Sequence, residues 1–194
     1  NTVIGLDFND PARAGKCANL FETAKTKMIV DHHICKSQIC ELFYSDHTSA
    51  AAGELVFELI NELGVEIDKD IATALYVSIM SDTGGCRFGN TTAKTHTILS
   101  KLIEKVDVSY VCRMLFDITP LRKLELSSKL ISEIEFYGNG KIGVITADKL
   151  DPADEHYLND MSNRALNVEG CQIGVFVKQR ADVVKVSLRT LGEI

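Results

Sequence analysis

Two short apolar runs near the start of the chain, each ending in a carboxylate, place the strongest limit on the fold. They cover residues 3–7 and 28–31, and a helical pattern over 14–24 separates them. A strand, a helix and a second strand form a βαβ unit, which predicts an α/β fold with a parallel, doubly wound sheet and flanking helices. Ligands of such sheets bind at the carboxyl ends of the strands. We therefore expect Asp7 and the polar residues 31–33 to lie together on one edge of the sheet.

Residue periodicity divides the remaining chain into a helical part and a smaller α/β part. The pattern predicts helices over 48–63, 68–81, 91–106, 108–116, 121–137 and near 160–166, and strands over 142–145, 172–177 and 183–188. We predict one domain over 1–116 and a partial α/β domain with a mixed sheet over 141–194. The helical segment 117–140 between them is either a linker or the first element of the second domain.

Charge and composition exclude several classes of protein. The chain has 21 Lys and Arg against 27 Asp and Glu, a net charge of −6, which argues against generic binding of duplex nucleic acid. Its apolar stretches are far shorter than the roughly 18 residues that span a bilayer, so no membrane association is expected. Six cysteines without a CxxC pair favour reduced thiols and a cytoplasmic location. The sequence leaves a homodimer open.

Three segments carry residues typical of a divalent-cation site. Asp31, His32 and His33 are adjacent in a chain with five histidines, and a neutral imidazole oriented by a carboxylate is a common metal ligand. Asp7 and Asp82 add carboxylates from separate segments. Mixed oxygen and nitrogen ligands suit Mn²⁺ or Mg²⁺ better than a thiolate zinc site. The alternative is a polar turn with solvent-facing histidines.

A glycine-rich segment, residues 84–91, follows Asp82 and leads into a predicted helix. Glycines, free backbone N–H groups and Arg87 would together make an anion-binding loop, with Asn90 or Thr91 as the cap of the helix. The alternative is an ordinary connection between two helices, in which Arg87 is a surface charge.

The combination of these motifs resembles the DHH phosphoesterase superfamily. The resemblance rests on residues 30–33 (Val-Asp-His-His), on Leu6-Asp7 and on residues 81–88 (Ser-Asp-Thr-Gly-Gly-Cys-Arg-Phe). Within the superfamily, the chain looks most like the branch of nano-RNases and 3′-phosphoadenosine-5′-phosphate (pAp) phosphatases. Residues 187–189 (Ser-Leu-Arg) are similar to a strand of the DHH-associated C-terminal domain.

The resemblance implies a phosphoesterase with two Mn²⁺ ions, or Mg²⁺ in their place, in which a metal-bridging hydroxide attacks phosphorus in line. Asp7 would bridge both ions, and His32 and Asp82 would ligate one of them. His33 would contact the substrate phosphate and Asp31 would support the imidazoles.

Two arginines would contact substrate by the same resemblance, Arg87 and, less directly, Arg189. The expected substrates are short oligoribonucleotides and pAp. A related enzyme acting on pyrophosphate, polyphosphate or a cyclic dinucleotide is the first alternative. A nucleotide-binding module without catalysis is the second.

Two motifs of the superfamily are missing from this sequence. A His/Asp cluster is expected before Asp7 and a glycine-rich loop after Arg189, so the sequence resembles a family member shortened at both ends. Because the upstream cluster supplies further metal ligands in the family, we expect the 194-residue chain alone to be inactive and to bind metal weakly.

Overall fold

Two separate sheets organise the structure, a computed structural model that describes residues 1–35, 38–148, 150–180 and 183–191. The sheets belong to two units of the chain, residues 1–117 and 118–194.

The sheet of the first unit has three parallel strands in the order β1-β2-β3. The strands are β1 Thr2–Leu6, β2 Thr26–Asp31 and β3 Leu42–Ser45. Leu6 lies opposite Val30, and Asp31 lies opposite Ser45. The carboxyl ends of the strands therefore meet at one edge, as the βαβ pattern predicts. Strand β3 was not predicted, because its apolar run is only three residues long.

Helices form the rest of the first unit and most of its core. They are α1 Ala18–Thr23, α2 Ala52–Glu62, α3 Lys69–Asp82, α4 Ala93–Leu102 and α5 Val108–Cys112, with a 3-10 segment Pro11–Cys17 and a π-helical turn Arg113–Asp117. The Asp68 side chain caps α3 by accepting from the N–H of Ile71 at 2.8 Å. Buried apolar side chains of α2, α3, α4 and α5 pack into one cluster.

Helix α2 begins four residues later than predicted, at Ala52 rather than residue 48. Ala51 is extended, with φ −154° and ψ 154°, and the segment Ser49–Ala51 is buried. The segment is held out of the helix by hydrogen bonds to its main-chain groups from three other parts of the chain, described below.

The second unit is a four-stranded mixed sheet with helices against one face. Its elements are α6 Leu121–Ser132, β4 Glu135–Tyr137, β5 Ile142–Ala147, a 3-10 turn Glu155–Leu158, α7 Met161–Leu166, β6 Ile173–Arg180 and β7 Val183–Thr190. Strands β5 and β6 are parallel, and the β4–β5 and β6–β7 pairs are antiparallel. Ile145 and Phe176 face α7 and form a second buried cluster with Leu158 and Met161.

The segment predicted as a linker, residues 117–140, is largely part of the second unit. The predicted helix stops at Ser132, and the next residues form β4 instead. Residues 138–140 (Gly-Asn-Gly) all have positive φ, so they make the turn of a hairpin between β4 and β5. Leu126 and Leu130 of α6 pack on the core of this unit, which makes α6 its first element.

The predicted fold class, a parallel-sheet α/β domain followed by a smaller mixed-sheet domain, is confirmed. Within the described part of the chain, no helix combines the length and the apolar character that crossing a bilayer requires.

Candidate metal centre

The carboxyl edge of the first sheet brings together the ends of β1 and β2. Asp7 directly follows β1, and its N–H donates to the carbonyl of Val30 at 3.0 Å, extending the parallel pairing by one residue. Asp7 has φ 66°, a left-handed conformation that Asp tolerates better than most residues. Asp31 ends β2, and His32 and His33 follow it. The backbone therefore places Asp7 and residues 31–33 at one edge of the sheet, as the sequence predicts.

His32 lies between a backbone carbonyl and two carboxylates. Its Nδ1 is 3.2 Å from the carbonyl oxygen of Ser49. Its Nε2 is 3.3 Å from Oδ1 of Asp7 and 3.6 Å from Oδ2 of Asp82. Because a carbonyl oxygen can only accept, Nδ1 carries a proton, and in the neutral ring Nε2 presents its lone pair to the two carboxylates.

Three acceptors, one nitrogen and two carboxylate oxygens, thus converge on one place. Burial raises the pKa of the Asp82 carboxyl, and the Asp7 carboxylate raises it further, whereas positive charge on His32 and His33, when these rings are protonated, lowers it. Positive charge at this place would relieve the repulsion between the carboxylates. The donor set is the mixed oxygen and nitrogen type that binds Mn²⁺ or Mg²⁺.

His33 is oriented by the buried carboxylate of Asp31. The Nδ1 of His33 is 2.7 Å from Oδ1 of Asp31, and Asp31 is fully buried. The other oxygen, Oδ2, is buried without a hydrogen-bond partner in the described residues. A proton on Nδ1 of His33 leaves Nε2 of this partly exposed ring available for another partner.

Asp31 was expected to support both imidazoles, but its hydrogen bond goes to His33. The carbonyl of Ser49 takes that part for His32. Among the residues that the structure describes, Asp7, His32 and His33 each offer a ligand atom, and these atoms lie within 4.8 Å of one another. Asp82 joins this group through its contact with His32.

The segment Ser49–Ala51 was missed by sequence reasoning. Glu54, fully buried in the first turn of α2, accepts from the N–H of Ala50 at 3.1 Å and from Oγ1 of Thr95 at 2.5 Å. These bonds fix the position of the segment, whose Ser49 carbonyl contacts His32. A run of small residues before a glutamate, residues 49–54, is the signal that could have indicated a tightly packed chain here.

In the loop after Asp82, the N–H groups of residues 84–88 are not free as the sequence suggested. The N–H groups of residues 84–88 donate inside residues 79–88, to carbonyl oxygens and to Oγ1 of Thr83. Gly84 and Gly85 have φ 57° and 72°, and the ring of Phe88 occupies the space that a Cβ on Gly84 would need. Glycine is required there by conformation and by space. The prediction that the N–H groups of residues 84–88 bind an anion is therefore wrong.

The predicted cap of α4 is also corrected. The cap is Thr92, which forms a reciprocal capping box with Thr95. Asn90 instead donates its Nδ2 to the carbonyl oxygens of Ala50, at 3.0 Å, and of Asp82, at 3.1 Å.

The two predicted substrate-binding arginines belong to different units. Arg87 is exposed, and its Nε donates to the carbonyl of Gly84 at 2.6 Å. Arg189 lies on β7 of the second unit, is exposed, and donates through Nη1 to the carbonyl of Leu188 at 2.9 Å. Their contact with a substrate stays a prediction.

Comparison with known proteins agrees with the motifs at this edge. Residues 1–79 match the model of the DHH family, N-terminal domain. The bifunctional oligoribonuclease and PAP phosphatase NrnA of Thermus thermophilus is 30% identical over 196 residues, which are 100% of this chain and 58% of the relative. NrnA of Bacillus subtilis is 25% identical over 174 residues, 86% of this chain and 55% of the relative. The chain thus spans somewhat more than half the length of these relatives.

A crystal structure of an exopolyphosphatase-related protein from Bacteroides fragilis has the same fold. It superposes with a TM-score of 0.86 at 24% identity, over 98% of this chain and 58% of that protein. The family resemblance drawn from the sequence motifs is confirmed for residues 1–79, which match the N-terminal domain of the DHH family.

Proposed function

We propose that this chain is part of a Mn²⁺-dependent phosphoesterase that hydrolyses short oligoribonucleotides, pAp or both. One observation carries the proposal. The ring of His32 is fixed by a backbone carbonyl on one side and presents its other nitrogen to two carboxylates, those of Asp7 and Asp82.

Asp7, His32 and Asp82 would hold the cation. Asp7 is the most exposed of the three side chains, at 54%, so it is best placed to contact more than one ion. A pair of divalent cations, when bound, supplies positive charge to a phosphoryl group and lowers the pKa of bound water. Mg²⁺ fits the same donors and is the alternative ion.

His33 would act on the substrate rather than on the cation. The hydrogen bond to Asp31 fixes the ring and its tautomer, so Nε2 can meet a phosphate oxygen in a defined direction. Asp31 acts through His33 because its carboxylate is fully buried.

The substrate class is supported by the relatives. Two proteins named bifunctional oligoribonuclease and PAP phosphatase align with 86% or more of this chain. Both of their named substrates are phosphate esters of nucleotides, for which Arg87 and Arg189 would supply positive charge against the net negative charge of the chain.

The test is an activity panel on the full-length protein. We expect Mn²⁺-dependent release of phosphate from pAp and of mononucleotides from a short oligoribonucleotide, abolished by a chelator and by Asp82→Asn. Asp70→Asn, an exposed carboxylate on the same helix, is the matched control and should keep the wild-type rate.

Three other substrates separate the alternatives. Turnover of pyrophosphate, polyphosphate or cyclic di-AMP in preference to pAp would assign the protein to a different substrate class. Nucleotide binding without turnover of any of the five would contradict the enzyme and support a binding module.

A further inference from the structure

The side chain of Asn90 forms hydrogen bonds to two backbone segments that lie next to His32. Asn90 donates from Nδ2 to the carbonyl of Ala50, 40 positions earlier, at 3.0 Å, and to the carbonyl of Asp82, 8 positions earlier, at 3.1 Å. Ala50 follows Ser49, whose carbonyl orients His32. Asp82 supplies the carboxylate that faces Nε2 of His32.

The remaining polar groups of the Ser49–Ala50 segment have other partners. The N–H of Ala50 donates to Glu54, and the hydroxyl of Ser49 contacts Asp46 and Lys94. These partners, which lie in α2, in α4 and directly after β3, hold the segment in place. Among the hydrogen bonds of the described residues, the bonds of Asn90 are the ones that join this segment to the end of α3.

The chemistry of the Asn side chain fits this position. A primary amide carries two N–H donors on one nitrogen, and two carbonyl oxygens lie within hydrogen-bonding distance of it. Serine could satisfy one of these carbonyls at most, and alanine neither. The exposed position of Asn90 gives no packing reason for this residue type.

We infer that Asn90 is a positioning residue, which fixes the separation between Nε2 of His32 and the carboxylate of Asp82 and thereby the affinity of the site for a divalent cation. The inference rests on the proposed function, because it assumes that these two groups hold a cation. Loss of a residue that orients metal ligands typically lowers metal affinity about 10- to 100-fold.

The test is a Mn²⁺ titration of the full-length protein, with free Mn²⁺ measured by electron paramagnetic resonance. We expect Asn90→Ala to weaken Mn²⁺ binding by at least about 10-fold, and Asn90→Ser to weaken it by less. Asn61→Ala is the matched control, since Asn61 also donates from Nδ2 to a backbone carbonyl, that of Phe57 at 2.7 Å, on a helix of the same unit. Its affinity should equal that of the wild type.

Thermal unfolding of the metal-free variants separates positioning from a general loss of structure. A drop in affinity with a metal-free melting temperature close to that of Asn61→Ala supports the inference. Wild-type affinity in Asn90→Ala, or an affinity loss in both Asn90 variants that only follows their loss of metal-free stability, overturns it. A wild-type protein that binds no Mn²⁺ overturns the proposed function together with this inference.

Discussion

The two ring nitrogens of His32 have different environments, and this difference defines the candidate site. Nδ1 faces the carbonyl of Ser49, and Nε2 faces the carboxylates of Asp7 and Asp82. A carbonyl fixes the tautomer without adding charge, so the negative charge near the ring comes from the two carboxylates. That charge is unfavourable in the metal-free protein and favourable once a cation is bound.

Asp82→Asn, which is expected to abolish activity, should nevertheless raise the stability of the metal-free protein. The pKa of Asp82 is raised in the folded protein, so the folded state prefers the protonated carboxyl. Its ionisation at neutral pH therefore lowers the free energy of unfolding. The neutral amide removes this penalty, so the metal-free variant should melt at a higher temperature than the wild type at pH 7. The gain should shrink as the pH falls and the wild-type carboxyl becomes protonated. A lower melting temperature at pH 7 would contradict this account of the electrostatics.

Removing His32 should reduce turnover far more than it reduces stability. His32→Ala deletes a candidate ligand whose side chain is 16% exposed, and we expect the full-length protein to lose at least about 10²-fold in kcat, the effect of removing one preorganised stabilising group. His96→Ala, which removes an exposed histidine on α4, is the control. Steady-state kinetics at saturating Mn²⁺ measures the kcat of both variants. A kcat within twofold of the wild-type value for His32→Ala would show that His32 is not part of the site.

At the scale of secondary-structure elements, the close contact of α7 with β6 depends on a missing side chain. A Cβ on Gly174 of β6 would clash with backbone atoms of Ser162 and Leu166 on α7. Because backbone cannot move aside as a side chain can, Gly174→Ala should destabilise the second unit by about 1–3 kcal/mol or more. Chemical denaturation measures this loss of stability. Gly170→Ser is the comparison, because Gly170 has a positive φ but no atom within 4 Å of an added Cβ, so this variant measures the cost of the backbone conformation alone. An unchanged midpoint for Gly174→Ala would contradict the packing.

The ion pair between α6 and the 3-10 turn of the second unit should make that unit sensitive to acid. The hydrogen bonds from the Arg122 guanidinium hold the pKa of Asp154 below its ordinary value of 3.8. A lowered pKa stabilises the fold above the unfolded-state value, and this stabilisation is lost as the pH falls through the folded-state value. Arg122→Met should remove the part of acid unfolding that occurs below pH 3.8. Acid titrations of both proteins, followed by circular dichroism, measure the difference. Identical acid-unfolding curves would show that the pair contributes nothing.

Strand ends could be predicted from the sequence, whereas contacts to main-chain groups could not. The apolar runs that end at Asp7 and Asp31 predict both strands and the edge on which their carboxylates lie. Residue type does not show that the carbonyl of Ser49 would orient His32, because any residue has that carbonyl. Asn90 was interpreted as a helix cap for a similar reason, since a capping Asn and an Asn that joins two loops look alike in sequence.

At the scale of the whole molecule, the candidate site and the predicted substrate contacts are divided between two units. The metal-ligand candidates and Arg87 lie in residues 1–117, and Arg189 lies in residues 118–194. Each arginine is predicted to make a ground-state contact with an anionic substrate, so its removal should affect KM more than kcat. Arg87→Ala and Arg189→Ala, assayed on pAp and on an oligoribonucleotide, test this. A change in kcat alone would contradict it for the variant concerned.

The number of ligands limits what the 194-residue chain can do alone. A site for two divalent cations would need several oxygen and nitrogen ligands from the protein, besides any water. Of the described residues at this edge of the sheet, Asp7, His32 and Asp82 would supply ligands, and His33 lies beside them. We therefore expect the isolated chain to bind Mn²⁺ weakly and not to hydrolyse pAp. Calorimetry and a phosphate-release assay test this, and rapid hydrolysis of pAp by the isolated chain would contradict the ligand count.

We propose that Asp7, His32 and Asp82 together form a divalent-cation site. The most direct test of this site is a Mn²⁺ titration of the 194-residue chain followed by ¹H–¹⁵N NMR, since paramagnetic broadening reports even weak binding residue by residue. We expect the amide signals of Asp7, His32, His33 and Asp82 to broaden first, and Asp7→Asn to abolish this selectivity. Broadening that begins elsewhere, for example at Asp151, Asp154 and Glu155, or that spreads evenly over the chain would contradict the proposed site.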